Sequence, residues 1–229
     1  MKNFLYLVIF ASFFTIGCNE DIITFPELPK AKVRFINTLS SPESVKIVID
    51  STITLNSIYR GQYSPSIDVN SGSATRFEFF NNADKRILIP SQSYTFPASS
   101  QYFVFLILNP LKAPTISAPI PYLTTSPFQG KPAIQFFNYS RTVSGKKIVI
   151  TMSDNVKVIT PDGIKTSERT DVLPMYEGKH SLLIHEENNY DTFFATVPIL
   201  EYTIGKVYTI YIYDLPGISD RVGVGIFSN

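Results

Sequence analysis

The sequence predicts an all-β protein in which one unit is used twice. Three observations carry this. Runs rich in Val, Ile, Thr, Phe and Tyr alternate with turn residues every 8 to 12 positions, the pattern of a sandwich or barrel. No segment after residue 18 shows helical periodicity. The chain also matches itself at a spacing of about 100 residues, too long for a solenoid repeat and the size of a domain.

The self-match is ordered. VRFINTLSSPESVKIVID from Val33 aligns without gaps to IQFFNYSRTVSGKKIVIT from Ile134. The two share Phe35 with Phe136, Asn37 with Asn138, and the run KIVI at 46–49 and 147–150, an offset of 101. Further on, YFVFLILN from Tyr102 pairs with VYTIYIYD from Val207 at offset 105, and Gly72 with Gly178 at offset 106. An offset that grows slowly while order is kept is what a duplication gives when loops lengthen.

Composition changes between the copies. Residues 110–132 hold six of the 16 prolines. Proline cannot donate to a sheet ladder, so this stretch cannot be central strand and reads as an extended, semi-rigid linker. The predicted organisation is a first domain at 31–121, a Pro-rich linker at 122–131 and a second domain at 132–229. Residues 115–120 could add an edge strand to the first domain.

Strand faces follow from the two-residue period. Tyr208, Ile210 and Ile212 share one face, suited to a core; Thr209, Tyr211 and Tyr213 share the other, a tyrosine stripe. The run from Phe103 to Leu108 is apolar on both faces, so it is either a central strand covered on both sides or lies at a domain interface. Pro161-Asp162-Gly163 reads as a hairpin turn, with glycine supplying positive φ.

The first residues have a different character. Lys2 is the only charge before Glu20, and the 13 residues 4–16 are apolar apart from Ser12 and Thr15. Thirteen residues make about 20 Å of helix, short of the roughly 20 residues that a bilayer requires. This is the layout of an export signal, 1–17. The only cysteine, Cys18, stands where the apolar run ends. Thr15-Ile16-Gly17-Cys18 resembles a bacterial lipobox, with threonine in place of the usual leucine. The resemblance implies a lipoprotein signal peptide and palmitate-type acyl chains on Cys18, holding the protein to a membrane through residues 18–30 as a tether. Two or three such chains bind a bilayer far more firmly than one. Asn19-Glu20-Asp21 resembles the surface-export signal of Bacteroidota-type lipoproteins. It points to the outer membrane of the cell envelope and leaves the periplasmic or cell-surface face open.

Gly130-Lys131-Pro132-Ala133-Ile134-Gln135-Phe136-Phe137-Asn138 resembles the opening strand of a domain of unknown function found in tandem in bacterial envelope lipoproteins. Ala31-Lys32-Val33-Arg34-Phe35-Ile36-Asn37 is similar to the same strand. Residues 45–50, 75–80 and 208–214 match later strands of that family. The second copy departs from it where Thr151 stands in place of an aspartate and over the divergent stretch 154–170. The resemblance implies two tandem immunoglobulin-like β-sandwich domains after the signal peptide, and it brings no catalytic residues.

Little in the chain points to chemistry. A net charge of +1 gives no reason to expect nucleic acid. One cysteine excludes an intrachain disulfide and a cysteine zinc cluster. His180 and His185, the only histidines, fall on opposite faces of a regular strand, so they are expected to be solvated or on an edge and not to chelate. Ser144 with Lys147 fits S-x-x-K and Ser153-Asp154-Asn155 fits S-D-N, but only nine residues separate them, whereas penicillin-binding folds place a helical domain there. No phosphate loop, dinucleotide or nucleophile-elbow pattern occurs, and no cofactor or metal is expected. Tyr211, Tyr213, Phe77 and Phe79, with Phe80, could stack on a glycan or receive a protein partner; the alternative is packing within the sheets. Asp50-Ser51-Thr52 resembles an O-glycosylation sequon. The expectation is a non-enzymatic, lipid-anchored envelope protein serving as a structural, interaction or display module. The alternative is a glycan- or peptide-binding module beside an outer-membrane transporter or adhesin. Three features discriminate: a deep cleft with converging carboxylates for a hydrolase, an exposed aromatic row for a glycan binder, and closed cores for a display module.

Overall fold

The computed structural model describes residues 29–152, 164–187 and 189–228, and no helix occurs among them. The export segment, Cys18, the tether up to residue 28, the Ser153-Asp154-Asn155 motif and the turn expected at Pro161-Asp162-Gly163 lie outside the described residues. The first sandwich comprises β1 (Lys30–Asn37), β2 (Ser44–Ile49), β3 (Ile53–Tyr59), β4 (Ile67–Asn70), β5 (Ala74–Asn81), β6 (Ile87–Thr95), β7 (Gln101–Leu108), β8 (Pro114–Ile116) and β9 (Ile120–Pro121). The second comprises β10 (Ala133–Asn138), β11 (Ile148–Met152), β12 (Glu168–Arg169), β13 (Leu173–Pro174), β14 (Gly178–Glu186), β15 (Asn189–Tyr202), β16 (Val207–Asp214) and β17 (Val222–Ser228).

The two copies are tandem immunoglobulin-like sandwiches that share a strand order, except that β3 has no counterpart among the described residues of the second. In the first, a sheet of order β4-β1-β7-β8, with β9 also on β7, faces a sheet of order β3-β2-β5-β6. In the second, β12-β10-β16-β17, with β13 also on β10, faces β11-β14-β15. In each copy the opening strand runs parallel to a late one, β1 with β7 and β10 with β16. The edge strand at 115–120 takes the form of β8 and β9, short antiparallel additions to β7.

The parallel ladders correct the offset between the late strands. Val33 is opposite Tyr102 and Ile134 is opposite Tyr208, so Tyr102 corresponds to Tyr208, not to Val207. A shift of one residue would put every side chain on the wrong face. Register decides this, because both strands are mostly apolar or aromatic on both faces and hydropathy alone permits either alignment.

Alternation produces the cores. Val33 and Phe35 of β1, Ile47 of β2, Phe77 and Phe79 of β5, and Val104 and Leu106 of β7 form one closed core. Phe136 of β10, Ile150 of β11, Ile184 of β14, and Tyr208, Ile210 and Ile212 of β16 form the second. Phe35 meets Phe77 edge-on at 5.2 Å between ring centroids, an arrangement that adds about 0.5–1.5 kcal/mol to burial.

One polar side chain is shared by both cores. Asn37 is fully buried, donates Nδ2 to the Ile58 carbonyl at 2.9 Å, and accepts the Leu39 amide on Oδ1 at 3.1 Å. Asn138 is fully buried, donates to the Ile164 carbonyl at 3.3 Å and accepts the Ser140 amide at 3.1 Å. The amides of Phe35 and Phe136 likewise donate to the hydroxyls of Ser64 and Thr170, each at 3.0 Å. Gly61 (φ 72°) and Ser167 (φ 67°) close matching turns by donating to the carbonyls of Asn37 and Asn138. A left-handed backbone is easy for glycine and strained for serine.

His185 corrects an expectation. It is fully buried on β14, the central strand of its sheet, with Nε2 3.2 Å from the Thr151 hydroxyl and Nδ1 2.9 Å from the Glu186 carbonyl. The extra residues of the irregular β14–β15 pairing lie on β15, and β14 keeps an unbroken ladder with β11 from Leu182 to Glu186. His185 therefore does take the face opposite the core residues Leu182 and Ile184; the difference is that this outer face is covered there and not solvated.

Candidate functional site

The outer faces of β7 and β16 meet. Phe103 and Phe105 of β7, Ile36 of β1, Phe137 of β10, Tyr211 of β16 and Phe227 of β17 form a third apolar cluster between the sandwiches. The molecule is therefore four sheets deep, and the β7 strand that reads as apolar on both faces has a core on one side and this seam on the other. Phe105 lies 4.9 Å from Phe137 and 4.6 Å from Tyr139, centroid to centroid. Tyr122, at the start of the Pro-rich linker, stacks on Phe103 at 4.0 Å and 6°. The linker is tied to both copies, through the Tyr122 amide to the Gln101 carbonyl at 3.1 Å and the Ser126 amide to the Gly205 carbonyl at 2.8 Å.

Glycine makes the tyrosine face fit. Tyr211 and Tyr213 of β16 are directly opposite Gly225 and Gly223 of β17, and their rings occupy the space where a Cβ would stand on either glycine. The Tyr213 ring also covers Gly61 of the first sandwich. The Tyr211 hydroxyl donates to the Gly61 carbonyl at 2.8 Å. Burial raises the Tyr211 phenol above its usual range, and the neighbouring Tyr213 and Tyr63 push the same way. The Tyr213 phenol is raised by burial and partly offset by Arg60.

Each end of the seam has a cation. At one end the Arg34 guanidinium lies 5.3 Å from the Tyr63 ring and 5.4 Å from the Phe227 ring, within cation–π range. At the other, Arg141 of the second copy donates Nη1 to the Asn109 carbonyl of the first at 2.8 Å. Asp214, at the end of β16, holds the Arg141 loop: its Oδ1 accepts the Ser140 hydroxyl at 2.6 Å and the amides of Arg141 and Thr142 at 2.8 and 2.9 Å. Beside this strut open two adjoining recesses of about 440 and 250 Å³ that share Leu108, Arg141 and Ser144.

The aromatic binding candidates are corrected by burial. Phe77 and Phe79 have no exposed surface and belong to the first core. Tyr211 has none either, and Tyr213 is half-buried in the seam. A ring packed on both faces cannot stack on a sugar without opening the fold. Phe80 is half-buried on the outer face beneath the Lys46 ammonium, 6.0 Å away. Among the described residues no group of three His, Cys, Asp or Glu side chains is placed to hold a metal ion. The groove carries one carboxylate, Asp214, so carboxylates do not converge there. The sequence reading passed over Lys112, Arg141 and Asp214. The signal that could have led to them was two unpartnered apolar faces in one chain, each the natural cover for the other.

No family model matches the chain, and no curated protein matches it. Among solved structures it is similar to a family 26 carbohydrate-binding module of Amy13K from Eubacterium rectale in complex with maltoheptaose. That similarity has 10% identity, 87% of this chain and 97% of that one, and a TM-score of 0.26. It is also similar to candidate cell adhesion proteins from Bacteroides uniformis (8% identity, 88% of this chain and 96% of that one, TM-score 0.25) and Parabacteroides distasonis (9%, 88% and 99%, TM-score 0.22). At these values none carries a ligand or an activity over to this chain.

Proposed function

We propose that this chain is a non-enzymatic envelope module, anchored by acyl chains on Cys18 and presenting two sandwiches as a single body to a partner outside the membrane. The anchor rests on Thr15-Ile16-Gly17-Cys18, where the only cysteine stands at the junction of apolar and acidic residues. The presenting part rests on the seam, which buries both aromatic faces and ties linker to sandwich. A rigid body loses less freedom on binding than two tethered ones. The reading extends to the outer membrane, on either its periplasmic or its cell-surface face.

A second reading, a glycan- or peptide-binding module working with a transporter or adhesin, is favoured by the polar groove beside Arg141, a concave site built by both copies. The test of the first is mass spectrometry of the leading peptide from the native host, with Cys18→Ala as control, followed by protease treatment of intact cells. Fatty acid on Cys18, and membrane association lost in the variant, are expected. A mature protein with an unmodified Cys18 overturns the anchor.

A further inference from the structure

We propose that the groove between the sandwiches takes the acidic sugar residue of a glycan, a carboxylated or sulfated one. This rests on the second reading above and names its ligand class. The groove has the volume of a small-ligand site and belongs to neither copy alone: Ser40, Leu108 and Lys112 come from the first, and Arg141, Ser144 and Asp214 from the second. Leu108 and Pro110 supply an apolar wall suited to the C–H face of a pyranose, and the hydroxyls of Thr142, Ser144 and Thr166 line the rest.

Charge selects the acidic class. The only carboxylate on the lining, Asp214, already accepts three donors on one oxygen. Lys112 makes no ion pair among the described residues. It sits at φ 62° in a tight turn closed by its own amide on the Asn109 carbonyl at 2.9 Å, and by the Ala113 amide on Asn109 Oδ1 at 3.0 Å. Arg141 is held by the carbonyls of Asn109 and Pro110. A guanidinium fixed before a ligand arrives, beside an exposed lysine on an ordered turn, gives an anion site that is partly preorganised. The position suits an anchored receptor. The first sandwich begins at Lys30; Ser40 lies beyond the far end of β1 and Leu108 ends β7, which runs parallel to it. At about 3.3 Å per residue, the eight residues of β1 set the groove more than 20 Å from that point.

The mature chain, wild type and with Lys112→Glu or Ser144→Phe, is titrated with oligogalacturonate, a sulfated chondroitin oligosaccharide, maltohexaose and polyglutamate at low and high salt. Binding of one acidic oligosaccharide, weakened about tenfold or more by Lys112→Glu and blocked by Ser144→Phe, is expected. The oligosaccharide bound identifies carboxylate or sulfate. Acidic binding that neither variant changes, or polyglutamate bound equally well, overturns the site. Maltohexaose bound in preference overturns acid selection while keeping the glycan reading. Binding of none of the four overturns both.

Discussion

The Tyr211 hydroxyl donates to the Gly61 carbonyl, 2.8 Å away and 150 residues distant in sequence. This bond joins the second sandwich to a turn of the first, and the ring that carries it takes the space a Cβ would need on Gly225. The stripe that the sequence offered as a binding surface is a surface turned inward.

Gly61 has φ 72°, and a Cβ there would overlap the Tyr213 ring. Gly61→Ala should cost about 2–4 kcal/mol, from left-handed strain plus the overlap. Thermal melting reads the loss, and faster proteolysis within 122–131 reads the loosened seam. Tyr211→Phe, which removes only the bond, should cost about 1–2 kcal/mol.

The paired asparagines test the duplication energetically. Asn37→Ala and Asn138→Ala each strip the partners from a buried carbonyl and a buried amide. Each should lower stability by about 2–4 kcal/mol in urea titration. Markedly unequal losses would show that the two sites are alike in shape and not in role.

Ser51 offers a gain. Asp50 and Ser51 hold φ of 47° and 59° in a turn closed by the Thr52 amide on the Ile49 carbonyl at 3.0 Å. Two such residues favour Asn-Gly or Asp-Gly. Ser51→Gly should stabilise by about 0.5–1 kcal/mol, relief of strain exceeding the added freedom of the unfolded chain. Asp50 should stay, since its Oδ1 accepts the Arg76 amide at 2.7 Å.

Alkaline pH should loosen the molecule. Burial raises the phenols of Tyr139, Tyr202 and Tyr211 above the ordinary value of 10.0. Below about pH 10 both states keep these protons and stability does not depend on them. Above it the unfolded chain releases them first, so stability falls as pH climbs toward the folded values. Urea midpoints measured from about pH 8 to 11 should drop at the upper end, less steeply in Tyr211→Phe.

Phe77→Ala and Phe79→Ala should each cost about 3–5 kcal/mol with groove binding, where folded protein remains, unchanged. Loss of binding at retained stability would return these rings to the role of ligand contacts.

The cores were legible because a strand states its faces locally. Tyr208, Ile210 and Ile212 on one side and Thr209, Tyr211 and Tyr213 on the other follow from a period of two. The groove was not legible, since Lys112 and Arg141 are ordinary surface cations until two loops 29 residues apart in sequence are brought together. His185 was expected in solvent because a strand's own residues do not state what covers its outer face, and here His185 is fully buried on that face.

The sequence by itself determined the β class, the doubling of the unit, the core faces and the junction at Cys18. Each of these is written in neighbouring residues or in a direct comparison of segments. Tertiary structure alone decided what covers the outer faces of β7 and β16, and with it which aromatics are free. Apolar area records that a face must leave water. Which surface it meets depends on shape, on the missing side chains of Gly223 and Gly225, and on one hydroxyl finding one carbonyl.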